Sequence, residues 1–256
     1  MAEKVLLSQE GPVAVVTLNE PERRNPLALD GAELLFGCLG QAMASEARAV
    51  VVTGAGGHFC SGGDIRGMAN SEMMAGRERL ALLHRVIRLL ITARKPVLAA
   101  VEGAAFGAGV SLALATDHVI AAGDARFCAS FNRVGLMADL GLLYTLPLRV
   151  GHGKAKELLL FGDVIDAPDA LRIGLIDRMV EPGKALTTAI ERATLLASGP
   201  PLAMALTKAA LARAPAPLED MLQIELDGQT LLRSTTDHAE GQKAFFEKRM
   251  PQFKGN

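Results

Sequence analysis

Pro96-Val97-Leu98-Ala99-Ala100-Val101-Glu102-Gly103-Ala104-Ala105-Phe106-Gly107-Ala108-Gly109 is the stretch on which the fold of this chain turns. Its first six residues are an unbroken apolar run, which reads as a strand buried on both faces. The small residues after it read as a tight turn, and Val110 to Ala115 as the start of a helix. The same pattern stands upstream. Ala49-Val50-Val51-Val52-Thr53 runs into Gly54-Ala55-Gly56-Gly57 and then into Phe59-Cys60-Ser61-Gly62-Gly63-Asp64. Glycines in such turns let backbone approach a ligand and present unshielded N–H groups. Two such turns can aim two N–H groups at one oxygen, as an oxyanion hole requires. The same glycines also suit close helix–strand packing alone. Neither turn holds the phosphate-loop pattern G-x-x-x-x-G-K-[ST] or a dinucleotide-type G-x-G-x-x-G.

Reading outward, Val13-Ala14-Val15-Val16-Thr17-Leu18 is rich in β-branched residues and closes at Asn19-Glu20-Pro21, a strand and a turn. Leu29 to Ala44 has apolar residues at helical spacing, and a long helical stretch is expected from about Ser71 to Ala93. His118-Val119-Ile120-Ala121-Ala122 is a further strand. Alternating strands and helices predict an α/β core with largely parallel pairing. From Lys184 the strand signals stop. Three helical segments remain, punctuated at Ser198-Gly199-Pro200-Pro201 and Pro215-Ala216-Pro217, the last being Thr236 to Met250. The chain is therefore divided into an α/β core, residues 1–195, and a helical tail, residues 196–256. So short a tail has little core of its own and should pack on the main domain or a neighbouring subunit.

Of the 256 residues, 50% are hydrophobic and 21% charged, and the net charge is −1. Basic residues are spread along the chain, which argues against nucleic acid or membrane as partners. The apolar region from Pro96 to Ala122 is interrupted by Glu102, Asp117 and His118, too soon for a membrane span. Met1-Ala2-Glu3-Lys4 leads straight into a strand pattern with no signal-peptide organisation. The three cysteines, Cys38, Cys60 and Cys128, lack metal-ligand spacing and read as reduced thiols of a cytoplasmic protein. Cys60 has no histidine arranged beside it and is a weak candidate nucleophile. His58, His84, His118, His152 and His238 share no metal spacing either and read as surface or interface residues.

At this point the motifs resemble a known family. Val51 through Asp64 is similar to the first signature of the enoyl-CoA hydratase/isomerase (crotonase) superfamily, and Lys95 through Asp117 to the second. Thr17-Leu18-Asn19-Glu20-Pro21, Arg24-Asn25-Pro26-Leu27 and Glu240 to Arg249 match further, in order, over nearly the whole chain. The resemblance implies a crotonase-like spiral of ββα units with a C-terminal helical trimerisation region, and a trimer or hexamer. It also implies an acyl-CoA thioester as substrate, with no cofactor beyond the coenzyme A it carries. The thioester oxygen would accept hydrogen bonds from the backbone N–H groups of Ser61 and Ala108. Gly62, Gly63, Asp64 and Ile65 would line the CoA-binding turn, Asp64 also suiting a helix N-cap. Arg23 or Arg24 would meet the CoA phosphates, and Lys248 the CoA of a neighbouring subunit.

Which reaction follows depends on carboxylates. Family hydratases hold and activate water with two glutamates, at positions occupied here by Ser111 and Phe131. Asp139 remains, in Val134-Gly135-Leu136-Met137-Ala138-Asp139-Leu140-Gly141. The segment resembles the isomerase of bacterial phenylacetate degradation and the dienoyl-CoA isomerases, which place an aspartate there. By this resemblance a single carboxylate fits a Δ3-to-Δ2 enoyl-CoA isomerase, removing a proton from C2 and returning it at C4, or a ring isomerase of aromatic acyl-CoA catabolism. Leu136, Met137, Leu140 and Phe131 are expected to give Asp139 an apolar setting that raises its pKa. Asp139 is equally suited to cap a helix beginning at Leu140. Ser111 could hydrogen-bond substrate or water, or bond to backbone within its helix. The acyl pocket is expected from Met68 to Leu90 and Phe131 to Tyr144. An atypical hydratase and a non-catalytic acyl-CoA-binding homologue are the alternatives.

Overall fold

A computed structural model describes residues 3–65 and 73–256. Its strands are β1 (Val5–Glu10), β2 (Val13–Leu18), β3 (Ala49–Gly54), β4 (Val97–Val101), β5 (Ala104–Phe106), β6 (His118–Ala122), β7 (Arg126–Cys128), β8 (Ile165–Asp166) and β9 (Arg178–Val180). Its helices are α1 (Leu29–Ala44), α2 (Met73–Thr92), α3 (Ala108–Leu114), α4 (Leu142–Phe161), α5 (Ala167–Arg172), α6 (Ala185–Ala197), α7 (Pro201–Leu211), α8 (Leu218–Arg233) and α9 (Thr236–Glu247). The main sheet runs β1-β2-β3-β4-β6-β9, and a small one β5-β7-β8. Only β1 is antiparallel in the main sheet; β2, β3, β4, β6 and β9 pair in parallel.

The apolar runs are continuous because both sheet faces are covered. Ala14, Val16, Val50, Val52, Ala99 and Val101 belong to the core shared with Leu35, Leu39, Val86 and Leu90 of α1 and α2. The alternate residues, Val13, Val15, Ala49, Val51, Leu98 and Ala100, face α6 instead. That helix buries Ala185, Ala189, Ala193 and Ala197, a four-residue spacing that makes one flat stripe of small side chains. Each large aliphatic side chain taken out of water contributes about 1.5–3 kcal/mol.

Four helices, not three, follow Lys184, because α8 ends at Arg233 as a helix separate from the last one, which Thr235 starts by accepting the N–H of His238. Neither α7 nor α8 has a buried residue. The tail is held by polar tethers. Lys208 of α7 donates to Asp117 at 2.6 Å and to the carbonyl of Lys95 at 3.1 Å. Arg48 donates to the carbonyls of Phe253 and Gly199, both at 2.9 Å. Strands β5, β7, β8 and β9 have two or three residues each, too few to leave a period in the sequence. The helix expected from Ser71 is described from Met73. Ser71, and Met68 at the expected start of the acyl-pocket segment, lie outside the described residues.

Candidate active site

Parallel pairing of β3 with β4 brings the two glycine turns together, since both follow carboxyl ends of neighbouring strands, where open α/β sheets bind ligands. Three backbone bonds staple them: Phe59 N–H to the Glu102 carbonyl at 2.9 Å, Cys60 N–H to Ala104 at 3.0 Å, and Phe106 N–H to Cys60 at 2.9 Å. His58 joins the staple, its Nδ1 accepting the Ala104 N–H at 3.2 Å. It is thus a structural link rather than the surface or interface residue expected. His118 is half-buried 3.7 Å from Asp177. Cys60 is wholly buried, and burial pushes its thiol up to about 11, so it is not a thiolate nucleophile.

Glycine is required where the turns meet. Gly62 and Gly107 have φ of 111° and 49°, which L side chains rarely adopt. A Cβ on Gly62 would lie 3.0 Å from the Phe106 carbonyl oxygen and 3.9 Å from the Ala108 nitrogen. One residue in this turn differs from its expected role. The Ser61 N–H donates to the Arg24 carbonyl at 2.8 Å, and the Ser61 hydroxyl to the Arg23 carbonyl at 3.2 Å. That N–H is engaged and cannot also serve a ligand oxygen. The Gly63 N–H is different. The Gly62 carbonyl accepts from Leu27 at 2.7 Å, and a trans peptide aims its N–H opposite to its carbonyl. Gly63 therefore points its N–H away from Leu27. By the same geometry, the Gly107 carbonyl accepts the Ser111 N–H at 3.2 Å, so Ala108 aims its N–H out of the helix start. Neither the Gly63 nor the Ala108 N–H has a partner among the described residues.

Asn25 was quoted above only as part of a motif, yet it organises this rim. It is 1% exposed. Its amide donates to the carbonyls of Ala55 at 2.9 Å and His58 at 2.7 Å, and its oxygen accepts the Glu20 N–H at 2.9 Å. Asn25→Ala should leave several buried polar groups unpaired, lowering unfolding free energy by about 3 kcal/mol. Urea denaturation measures that loss. Arg24 itself is exposed, and its guanidinium has no partner among the described residues. Arg23 is paired with Asp64 at 2.9 Å. Ile65 is exposed, and residues 66–72, on which the expected capping by Asp64 falls, lie outside the described residues. Lys248 ends α9 in a left-handed conformation, on the tail rather than at the turns.

Asp139 lies in the corner before α4. That helix begins at Leu142 with Gly141 as its N-cap and no side-chain capping bond, so the capping role expected for Asp139 is not realised. Its Oδ1 is buried with no hydrogen-bond partner. Burial pushes the carboxyl up to about 6, against the opposing pull of Arg79 on α2. Leu136 and Met137 do not provide that burial, being 49% and 74% exposed; Ala138, Leu140 and Phe131 are buried. Ser111 is fully buried and donates to the Asp139 main-chain carbonyl at 3.1 Å. Among the described residues no group of three or more His, Cys, Asp or Glu could hold a metal ion, and no helix is long and apolar enough to cross a membrane.

Sheet topology, glycine turns and helical tail define a crotonase-type fold. The chain belongs to the enoyl-CoA hydratase/isomerase family, whose sequence model matches residues 8–256. It is 36% identical over 262 residues to the 1,2-epoxyphenylacetyl-CoA isomerase of Escherichia coli K12, covering 100% of both chains. It is 37% identical over 248 residues to the short-chain-enoyl-CoA hydratase of Clostridium acetobutylicum, covering 96% of this chain and 95% of the relative. The crystal structure of an enoyl-CoA hydratase from Bacillus anthracis superposes with a TM-score of 0.94 at 31% identity, over 99% of this chain and 100% of that one.

Proposed function

We propose that this family member is an acyl-CoA isomerase that moves a double bond from the Δ3 to the Δ2 position, with Asp139 as its only acid/base. The carrying observation is Asp139 itself: a buried carboxyl oxygen without a partner and a pKa near 6. A base that titrates near working pH is ionised enough to accept a proton and acidic enough to return it. The family's other two carboxylate positions hold a buried, internally bonded Ser111 and a buried Phe131, neither of which can activate water.

In the reaction, the Asp139 carboxylate removes a proton from C2 of the 3-enoyl thioester. Charge moves onto the thioester oxygen as a dienolate forms. The protonated carboxyl then delivers the same proton to C4, leaving the 2-enoyl product. The developing oxyanion is assigned to the N–H groups of Gly63 and Ala108; Gly63 replaces Ser61 in this role because its N–H is unspent. Preorganised donors stabilise the dienolate more than the ground-state carbonyl. Coenzyme A travels with the substrate, so the chemistry needs no further cofactor.

Arg24 is the cation at the mouth that would meet CoA phosphate, and Lys248 would reach CoA from a neighbouring subunit. Assembly into a trimer or hexamer through residues 196–256 is supported by exposed apolar side chains on the tail, among them Leu218 at 69% and Phe246 at 81% exposure. The hydratase names of several relatives support the second reading, an atypical hydratase. A paired assay separates the two. Purified protein given a 3-enoyl-CoA should convert it to the 2-enoyl isomer, and given the 2-enoyl-CoA should form little 3-hydroxyacyl product. Robust hydration would overturn the isomerase assignment.

A further inference from the structure

The corner that carries Asp139 is an unfavourable piece of backbone. Leu140 and Gly141 follow it with φ of 50° and 75°, two left-handed residues in succession, the first of them a leucine. Such conformations persist only where the surroundings over-determine them. Here the clamps can be named. The Leu140 side chain is sunk in the core at 1% exposure. Gly141 rests against α2, where a Cβ would come 3.0 Å from Ile87 Cγ2. The Asp139 carbonyl accepts the Leu142 N–H at 3.0 Å and the Ser111 hydroxyl at 3.1 Å.

The Ser111 bond is the unusual one. A helix serine ordinarily bonds to the carbonyl four residues back, and Gly107 offers that acceptor only at 3.5 Å. The shorter bond leaves the helix and crosses to a residue 28 positions along the chain. Ser111 lies on α3, whose first residue is Ala108. One buried hydroxyl thus connects the short helix presenting the Ala108 N–H to the corner presenting the carboxyl. The carboxyl oxygen Oδ1 has no hydrogen bond of its own, so main chain and packing must set its position.

We propose that Ser111 is a positioning residue: its hydroxyl, through the Asp139 main-chain carbonyl, fixes the base relative to the Ala108 N–H. This rests on the isomerase reading of Asp139. It gives the serine a role of its own at a position where hydratases of the family hold a catalytic carboxylate. Its single proton is committed to the Asp139 carbonyl, so it is not free to orient a water.

The test compares wild type with Ser111→Ala, Ser111→Thr and Asp139→Asn as full-length proteins, assayed with a 3-enoyl-CoA across pH 5 to 9. Misplacing a reacting group by about 1 Å can cost on the order of 100-fold in rate. Ser111→Ala should therefore lose roughly 10- to 100-fold in kcat with KM within about threefold of wild type. It should also move the acid limb of the profile to lower pH, because a loosened carboxyl samples water. Arg79 is the charged group whose field reaches Asp139, and it is unchanged in all variants. Ser111→Thr keeps the hydroxyl and should recover most of the rate. Melting curves establish that each variant is folded. Wild-type kcat and an unmoved acid limb in Ser111→Ala, alongside an inactive Asp139→Asn, would overturn the positioning role alone. Equal loss in Ser111→Thr and Ser111→Ala would do the same. An active Asp139→Asn would overturn the isomerase reading, and the inference with it.

Discussion

Asp139→Asn is expected to lower isomerisation by about 100-fold or more, the usual contribution of a positioned general base, while making the protein more heat-stable at pH 8. Both effects have one cause. The folded protein holds this carboxyl near pKa 6 against an ordinary value of 3.8, because its charged form is poorly solvated. At pH values between the two, the folded state binds the proton more tightly than the unfolded chain. Stability from this group is therefore full below the unfolded value and declines as pH rises through the folded one. Above pH 6 the native state holds an ionised carboxylate with a buried oxygen that lacks a partner, at a net cost. Asparagine has the same shape and no charge, and removes that cost. The melting temperature of Asp139→Asn should exceed that of wild type at pH 8, and the gap should shrink as pH falls from 6 toward 4. Wild-type turnover should in turn rise through pH 6 to a plateau as the base ionises. A variant that is inactive and no more stable at pH 8 would show that Asp139 is not the desolvated base described here.

Gly109→Ala should damage both stability and turnover. A Cβ there would sit 2.5 Å from the Cys60 carbonyl oxygen and 2.9 Å from the Cys60 Cβ. That carbonyl accepts the Phe106 N–H, one of the three bonds stapling the turns. All of these atoms lie in a packed interior, so the strain is relieved only by moving the turns apart. Overpacking of this kind costs typically 1–3 kcal/mol of stability. Separation also displaces Gly63 from Ala108, the two proposed oxyanion donors, and losing one such donor costs about 100- to 1,000-fold in kcat. Gly37→Ala makes the comparison informative. Gly37 is exposed within α1 with nothing within 4 Å of a new Cβ, and alanine there should stabilise by roughly 0.5–1 kcal/mol. Thermal melts and kcat on both variants separate an effect of place from an effect of glycine loss. Full activity in a stable Gly109→Ala would mean that the spacing of the turns does not set the rate.

Much of this was legible in the chain. The apolar runs at 13–18, 49–53 and 96–101 are strands because β-branched and small apolar residues in unbroken series fit a sheet covered on both faces. The glycines at 62, 103, 107 and 109 marked the turns, since a side chain at any of them meets neighbouring atoms, backbone in most cases. Asp139 stood out as a carboxylate in an apolar stretch. The expected setting was only half right: Leu140 and Phe131 are buried, but Leu136 and Met137 face outward. Sequence neighbours share a segment, not a direction, and the left-handed Gly135, with φ of 71°, turns the chain between Phe131 and Leu136.

By itself the sequence determined the parallel α/β architecture and the two glycine turns, because these follow from local periodicity and residue type, and it marked Asp139 as the candidate base. Tertiary structure alone decided which backbone N–H groups remain free. Ser61 spends its N–H on Arg24, 37 positions upstream, whereas Gly63 and Ala108 keep theirs. It likewise decided that Asn25 and His58 stitch the rim and that the Ser111 hydroxyl reaches Asp139. A hydrogen bond depends on where two distant segments meet, and no period within either segment records its partner. The physical reason is peptide geometry: each planar unit has one donor and one acceptor pointing opposite ways, and only the packed chain settles which of them is left facing the cleft.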